Sequence, residues 1–275
     1  MAETRALLER FGLSARKGLG QNFLIDRGVL DKIIAAAGIE NTDTVVEVGS
    51  GLGVLTRALA EKAGKVVSVE LDRNMVALLR ETMAGVPNVA IVERDILDTP
   101  PESLVGESNY KVVANLPYYI TSPVLRHFLE STHQPQSLVV MVQKEVARQI
   151  VARPPETSLL SVAIQFFGTP KIVSYVPAGA FYPPPKVASA ILRIDVLLER
   201  RLSAEDETVF FKLARAGFST RRKQLINALS SGLDIDKATG AELLQKAGID
   251  PKRRAETLTI DDWLNLLRVY KNGII

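Results

Sequence analysis

Thr44-Val-Val-Glu-Val-Gly49-Ser-Gly51-Leu-Gly53 decides the reading of this chain. A short β-rich run ends in three glycines at alternate positions, and the amphipathic segment Val54–Lys62 follows at once. A glycine turn lets the backbone pass close to a ligand, because no Cβ stands in the way. Three glycines also cost conformational entropy that a plain turn does not need. Working outward, Lys65–Val69, Val89–Val92, Lys111–Ala114 and Leu138–Val142 are further Val/Ile-rich runs of the kind found in buried parallel strands. Helical patterns such as Arg73–Met83 lie between them. Strand–helix alternation predicts a doubly wound α/β sheet. Lys171–Tyr175 and Val187–Val196 are joined by a proline-rich turn with no room for a crossover helix, so they are expected as an antiparallel addition at the sheet edge. From Ala204 onward only helical signals remain: Glu205–Gly217, Arg222–Leu229, Gly240–Ala247 and Ile260–Tyr270, with Asp206, Thr220 and Thr259 as N-cap or first-turn residues. The expected architecture is a Rossmann-like α/β domain over residues 1–200, mostly parallel with an antiparallel edge strand. A small C-terminal helical domain follows over residues 201–275.

Composition narrows the chemistry. The 275 residues include no cysteine and only two histidines, His127 and His133, which excludes thiolate chemistry and disulfides and leaves no basis for a His-rich metal centre. No metal is expected. No apolar run reaches the length of a bilayer, and the charged amphipathic start of the chain matches neither a secretory signal nor a transit peptide, so a cytoplasmic protein without membrane contact is expected. A monomer is the default expectation. Charge is unevenly placed: from Arg200 to the end there are 14 basic and 10 acidic residues, whereas the first 199 residues are close to neutral. The basic clusters Arg221-Arg222-Lys223 and Lys252-Arg253-Arg254 lie in that C-terminal part. Such clusters are commonly solvated surface, and they are also the electrostatic footprint expected for phosphates.

Glu70 ends the strand after the glycine turn, where a carboxylate can accept both hydroxyls of a ribose. A nicotinamide enzyme would share this topology, but the dinucleotide fingerprint wants a third glycine where Gly51-Leu-Gly53-Val-Leu-Thr56 has Thr. Asp95 follows the next strand. Its carboxylate can bond the exocyclic amine of an adenine while Ile96 packs on the ring; the plainer reading is that Asp95 caps a turn. Gly49, Gly51, Glu70, Asp95 and Ile96 together suggest a site for the adenosine of S-adenosylmethionine.

Lys111-Val-Val-Ala-Asn115-Leu116-Pro117-Tyr118-Tyr119 runs from a strand directly into Asn, Pro and aromatics, at the carboxyl end where such sheets bind ligands. The C6 amine of adenine is a poor nucleophile because its lone pair is delocalised into the ring. Two acceptors, the Asn115 side-chain oxygen and the Leu116 carbonyl, can hold its N–H groups and free that lone pair for in-line attack on a methyl group. Pro117 stiffens the turn, and Tyr118 can stack on an extruded base. A strand-ending turn is the alternative for these four residues taken alone.

The ordered set of motifs resembles the KsgA-type ribosomal RNA small-subunit adenine dimethyltransferases over nearly the whole chain. It comprises Lys17-Gly-Leu-Gly-Gln-Asn-Phe-Leu24, Val46–Gly53, Asn115-Leu-Pro-Tyr118, Gln143-Lys-Glu-Val-Ala147, Phe181-Tyr-Pro-Pro-Pro-Lys-Val187, Phe218-Ser-Thr-Arg-Arg-Lys-Gln-Leu225 and Arg254-Ala-Glu-Thr-Leu258. The resemblance implies dimethylation of adenine N6 in 16S ribosomal RNA, with immature small subunits as partner. It also implies that Asn22 and Leu24 close over the cofactor, that Asn115 completes the cofactor site, and that Phe181 forms the wall of the adenine pocket facing Tyr118. Three departures stand out: Ser50 where the family usually has Pro, Ala188 for a common Asp, and Arg153–Leu159 without a Tyr-Gly pair. Two other readings are the Erm-type methyltransferases of large-subunit RNA, which usually carry Ile at the place of Leu116, and a non-catalytic RNA-binding assembly factor on the same fold. The intact cofactor motifs weigh against the second.

Overall fold

The computed structural model describes residues 9–11, 21–220 and 222–273. They fall into two compact units, one of residues up to Ala147 together with Thr169–Leu197, the other of Arg148–Gly168 together with the residues from Leu198.

The first unit is a seven-stranded sheet with the order β4-β3-β2-β5-β6-β9-β7. Its strands are β2 (Thr44–Val48), β3 (Lys65–Glu70), β4 (Val89–Glu93), β5 (Tyr110–Asn115), β6 (Ser137–Gln143), β7 (Gly168–Val176) and β9 (Ser189–Val196). The pairs β2–β3, β3–β4, β2–β5 and β5–β6 are parallel, and β6–β9 is antiparallel. The central strands are buried on both faces: Val45, Val46, Val112, Val113, Val139 and Val140 are each 1% exposed or less. This is why they read as continuous apolar runs rather than alternating ones. Helices α1 (Arg27–Ala37), α2 (Val54–Ala60), α3 (Arg73–Thr82), α4 (Pro101–Val105) and α5 (Thr121–Glu130) make the connections. The chain runs outward from β2 through β3 to β4, then crosses back to β5 on the other side of β2. The carboxyl ends of β2 and β5 therefore flank the point where strand order reverses, the place where sheets of this kind bind ligands.

Before α1, the two-residue strand β1 (Phe23–Leu24) pairs antiparallel with β8 (Phe181–Tyr182). Asp26 then caps α1 by accepting from the Val29 N–H at 3.0 Å. His127 is structural, with Nε2 3.0 Å from the Thr99 carbonyl oxygen.

The second unit is helical: α6 (Lys144–Val151) ends in it, and α7 (Leu159–Phe167), α8 (Ala204–Phe218), α9 (Leu225–Leu233), α10 (Lys237–Lys246) and α11 (Ile260–Lys271) belong to it. Phe166 packs on Phe210 with ring centroids 4.4 Å apart, and Trp263 is fully buried against Gly217. Thr259 and Asp262 form a reciprocal capping box at the start of α11, as its position suggested. Asp206 is a first-turn residue of α8, with Ser203 as the cap. Thr220 does not cap a helix: α9 begins at Leu225, three residues later than the sequence pattern placed it, with Gln224 at its N-cap. Arg222 and Lys223 consequently lie in the turn before the helix rather than in its first turn.

Candidate active site

The glycine turn is held open by backbone conformation. Gly49, Gly51 and Gly53 have φ of 71°, 53° and 76°, a left-handed region that other residues rarely adopt. A Cβ on Gly51 would sit 3.2 Å from the Phe23 ring, and one on Gly53 would sit 2.9 Å from both Leu79 and Met83. The turn is thus fixed by close approach on the protein side as well as by what it leaves free above.

A cavity of about 320 Å³ opens at this point. Its walls include Asn22, Leu24, Gly49, Gly51, Glu70, Asp95, Ile96, Asn115, Leu116, Pro117 and Tyr118, so eleven residues singled out from sequence meet in one place. Glu70 is 8% exposed; one carboxylate oxygen accepts from the Gly51 N–H at 2.9 Å, and the other from the N–H groups of Leu71 at 2.9 Å and Asp72 at 3.0 Å. Burial pushes the Glu70 carboxyl above its ordinary range, and these backbone donors partly hold it down. Glu70 therefore also ties the glycine turn to the end of β3. Asp95 caps a single 3₁₀ turn, Ile96–Asp98, through the Leu97 N–H at 2.9 Å, and lines the cavity as well. Both readings of Asp95 hold together, since a carboxylate has lone pairs enough for a cap and a ligand.

Asn115 ends β5, and its Nδ2 donates to the Asn22 carbonyl at 3.1 Å. That bond fixes the orientation of the carboxamide. The amide nitrogen is tied to the segment ahead of α1, and Oδ1 is the acceptor half of the group. Tyr118 is half-buried, its hydroxyl 2.7 Å from the Ser189 Oγ; burial pushes the phenol up from its ordinary range, and the Ser189 hydrogen bond opposes this. The bond anchors the far end of the ring while the ring lines the cavity.

Phe181 is not among the cavity's lining residues. It is 1% exposed, pairs with Leu24 across β1–β8, and belongs to the core cluster that includes Val29, Ile33 and Ala180. Its ring packs in that core beside Leu24. Sequence reading also passed over Gln21, Glu47, Tyr119 and Ile120, all of which line the cavity. The available signal for Glu47 was a lone acid inside an otherwise apolar strand.

Arg222, Lys223, Lys252 and Arg254 are exposed on the helical unit, while Arg221 lies outside the described residues. Arg253 is different. Its side chain bonds Thr257 Oγ1 at 3.1 Å and Asp262 at 3.2 Å, and its carbonyl accepts from the Leu225 N–H at 2.7 Å, so it braces the start of α9 against α11. Among the described residues there is no cluster of acidic or histidine side chains able to hold a metal, and no helix is long and apolar enough to cross a membrane.

The residues present suit a nucleoside carrying a cationic sulfur. They provide a hydrogen-bonded carboxylate at the end of β3, a second one after the neighbouring β4, and an open glycine turn beside them. Fold and site together define an S-adenosylmethionine-dependent methyltransferase. Solved structures agree: a dimethyladenosine transferase from Plasmodium falciparum matches with TM-score 0.79 and 27% identity over 91% of this chain and 98% of that one. The 23S rRNA methyltransferase ErmE matches with TM-score 0.73 and 27% identity over 91% and 100%. The chain belongs to the ribosomal RNA adenine dimethylase family, whose profile matches residues 12–272. Its relatives include the ribosomal RNA small subunit methyltransferase A of Dehalococcoides mccartyi, 54% identical over 98% of this chain and 93% of the relative. The protein of the same name from Pelotomaculum thermopropionicum is 44% identical over 96% and 94%.

Replacing Glu70 by alanine is expected to weaken S-adenosylmethionine binding roughly tenfold or more, from the loss of charge-assisted bonds worth ~1.5 kcal/mol upward. Titration calorimetry on a variant with parental circular dichroism measures this; unchanged affinity removes Glu70 from the cofactor site.

Proposed function

We propose that this protein dimethylates the N6 amine of adenines in small-subunit ribosomal RNA, acting on immature small subunits as a cytoplasmic monomer. The observation that carries the reading is the fixed Asn115 carboxamide at the switch point of the sheet. The names of the relatives support the choice of subunit, and Leu116 in place of Ile points away from the Erm-type reading.

S-adenosylmethionine supplies a methyl group activated by a positive sulfur. The protein's own contribution is positional. Glu70, Asp95, Ile96, Asn22, Leu24, Gly49 and Gly51 hold the donor. Asn115 Oδ1 and the Leu116 carbonyl accept the two N–H groups of the adenine amine, which localises the nitrogen lone pair toward the methyl group. Pro117 keeps the Leu116 carbonyl turned outward, and Tyr118 stacks on the base. Fixed acceptors of this kind need no reorganisation when charge develops on the amine. The helical unit holds RNA through Arg221, Arg222, Lys223, Lys252 and Arg254, with Arg253 as brace.

The test is incubation with labelled S-adenosylmethionine and either immature small subunits or large-subunit RNA, followed by mass-spectrometric mapping of modified adenines. Dimethyladenosine in the small-subunit RNA supports the reading; modification of large-subunit RNA alone overturns it. Changing Arg221, Arg222 and Lys223 together to Glu is expected to reduce RNA affinity and flatten its salt dependence by about one unit of slope per lost phosphate contact, with cofactor affinity unchanged. A parental salt slope would make these residues ordinary surface.

A further inference from the structure

Glu47 has no part in the site described so far, yet it lines the same cavity. It is a carboxyl at 1% exposure in the central strand β2, two residues before the glycine turn. Thr56 Oγ1 donates to it at 2.6 Å from α2. The hydroxyls of Ser50 and Ser68 also bond it, and they contact one another at 2.5 Å. Ser50 and Ser68 are buried, so this is an enclosed cluster of one carboxyl and three hydroxyls beneath the turn. No cation stands opposite Glu47 on the neighbouring strands: it pairs with Ser68 on β3 and Val113 on β5. Arg57 of α2 turns away, to the Thr82 carbonyl. The charged group that acts on Glu47 is another acid, Glu70, which opposes its ionisation. Burial without a cation is costly for a carboxylate, and it pushes Glu47 up to about 7.

A carboxyl in that condition is sensitive to charge arriving in the cavity. The methyl donor and its demethylated product share adenosine, amine and carboxylate, and they differ in charge at one atom: the sulfur is positive in the donor and neutral in the product. We propose that Glu47, held by Thr56, Ser50 and Ser68 beneath the glycine turn, is a specificity-determining residue that favours the cationic donor over its neutral product, and that donor binding expels the Glu47 proton. The O–H bond of the carboxyl breaks, the proton leaves to solvent, and the carboxylate left behind faces the positive sulfur's field. After transfer that field is gone, the carboxyl regains its proton and product is held less tightly. This inference rests on the methyltransferase reading above.

The experiment is calorimetric binding of S-adenosylmethionine and of S-adenosylhomocysteine to the full chain at pH 6, 7 and 8, in buffers of differing ionisation enthalpy. The donor should release up to about half a proton at pH 7, since half the Glu47 carboxyls carry one there, and the product much less. The ratio of donor to product affinity should rise roughly tenfold from pH 6 to pH 8. Comparing the two ligands at each pH cancels every titration they share. Glu47→Gln should abolish both the excess proton release and the rise. A flat ratio in the parent, or a rise that survives in Glu47→Gln, overturns the inference. The parental measurements need no variant to fold. Failure of both ligands to bind would instead sink the methyltransferase reading itself.

Discussion

Asn115→Ala is expected to slow methyl transfer by something on the order of 10²–10³ at saturating concentrations of both substrates, if the lost acceptor is worth as much as a single oxyanion-hole donor. RNA affinity should change little, because phosphate contacts elsewhere supply most of it. The structure adds a second consequence. Asn115 Nδ2 holds the Asn22 carbonyl, so the alanine variant also frees the segment ahead of α1, and cofactor affinity should fall with it. The two effects are separable. Asn115→Asp keeps an acceptor toward the adenine amine but cannot donate to Asn22, so it should lose cofactor affinity and retain more of the single-turnover rate than alanine does. Single-turnover transfer with labelled S-adenosylmethionine is the decisive assay. A folded Asn115→Ala protein that methylates at the parental rate would reduce this segment to a strand-ending turn.

The central strands of the first unit were legible because they are buried on both faces. Val/Ile density alone located Thr44–Val48, and the other central strands came within a residue at each end. The edge was legible from a negative observation, the lack of room for a crossover helix before β9. What local sequence could not show is how distant pieces pair. Phe23–Leu24 is strand only because Phe181–Tyr182 lies beside it, 158 residues away, and the fate of the Phe181 ring depends on the same pairing. The start of α9 was misplaced for a related reason: Arg222 and Lys223 are good helix formers, but the Leu225 N–H bonds the distant Arg253 carbonyl and fixes the helix start there.

The cavity residues divide in the same way. Gly49, Gly51, Glu70 and Asp95 stand at fixed places relative to strands, so topology alone brings them to one edge of the sheet. Glu47 was hidden because it looks like an imperfection in an apolar strand. Its meaning comes from the hydroxyls of Thr56, Ser50 and Ser68, which reach it from the turn, from α2 and from β3. Ser50 is telling: its hydroxyl, in the glycine turn itself, is bonded to both Ser68 and Glu47.

Glu47 also sets an expected pH dependence of stability that needs no ligand. In the unfolded chain it titrates at the ordinary 4.5, and in the folded protein at about 7. Between those values the folded state binds the proton more tightly than the unfolded one, so stability falls as pH rises. The protonated carboxyl's contribution is fully present below pH 4.5 and is lost as pH passes through about 7. A displacement of this size corresponds to about 3 kcal/mol for a group so fully buried. Glu47→Gln keeps an oxygen to accept from Thr56 and an N–H group to donate, but it cannot ionise. The unfolding free energy of the glutamine variant minus that of the parent should therefore climb by about 3 kcal/mol between pH 4.5 and pH 8, whatever its starting value. Urea denaturation of both cofactor-free proteins across that range measures the difference, with titrations common to both proteins cancelling. A difference that stays flat would mean that Glu47 ionises as an ordinary carboxylate, and the cluster beneath the glycine turn would then be a hydrogen-bonded brace without a proton to release.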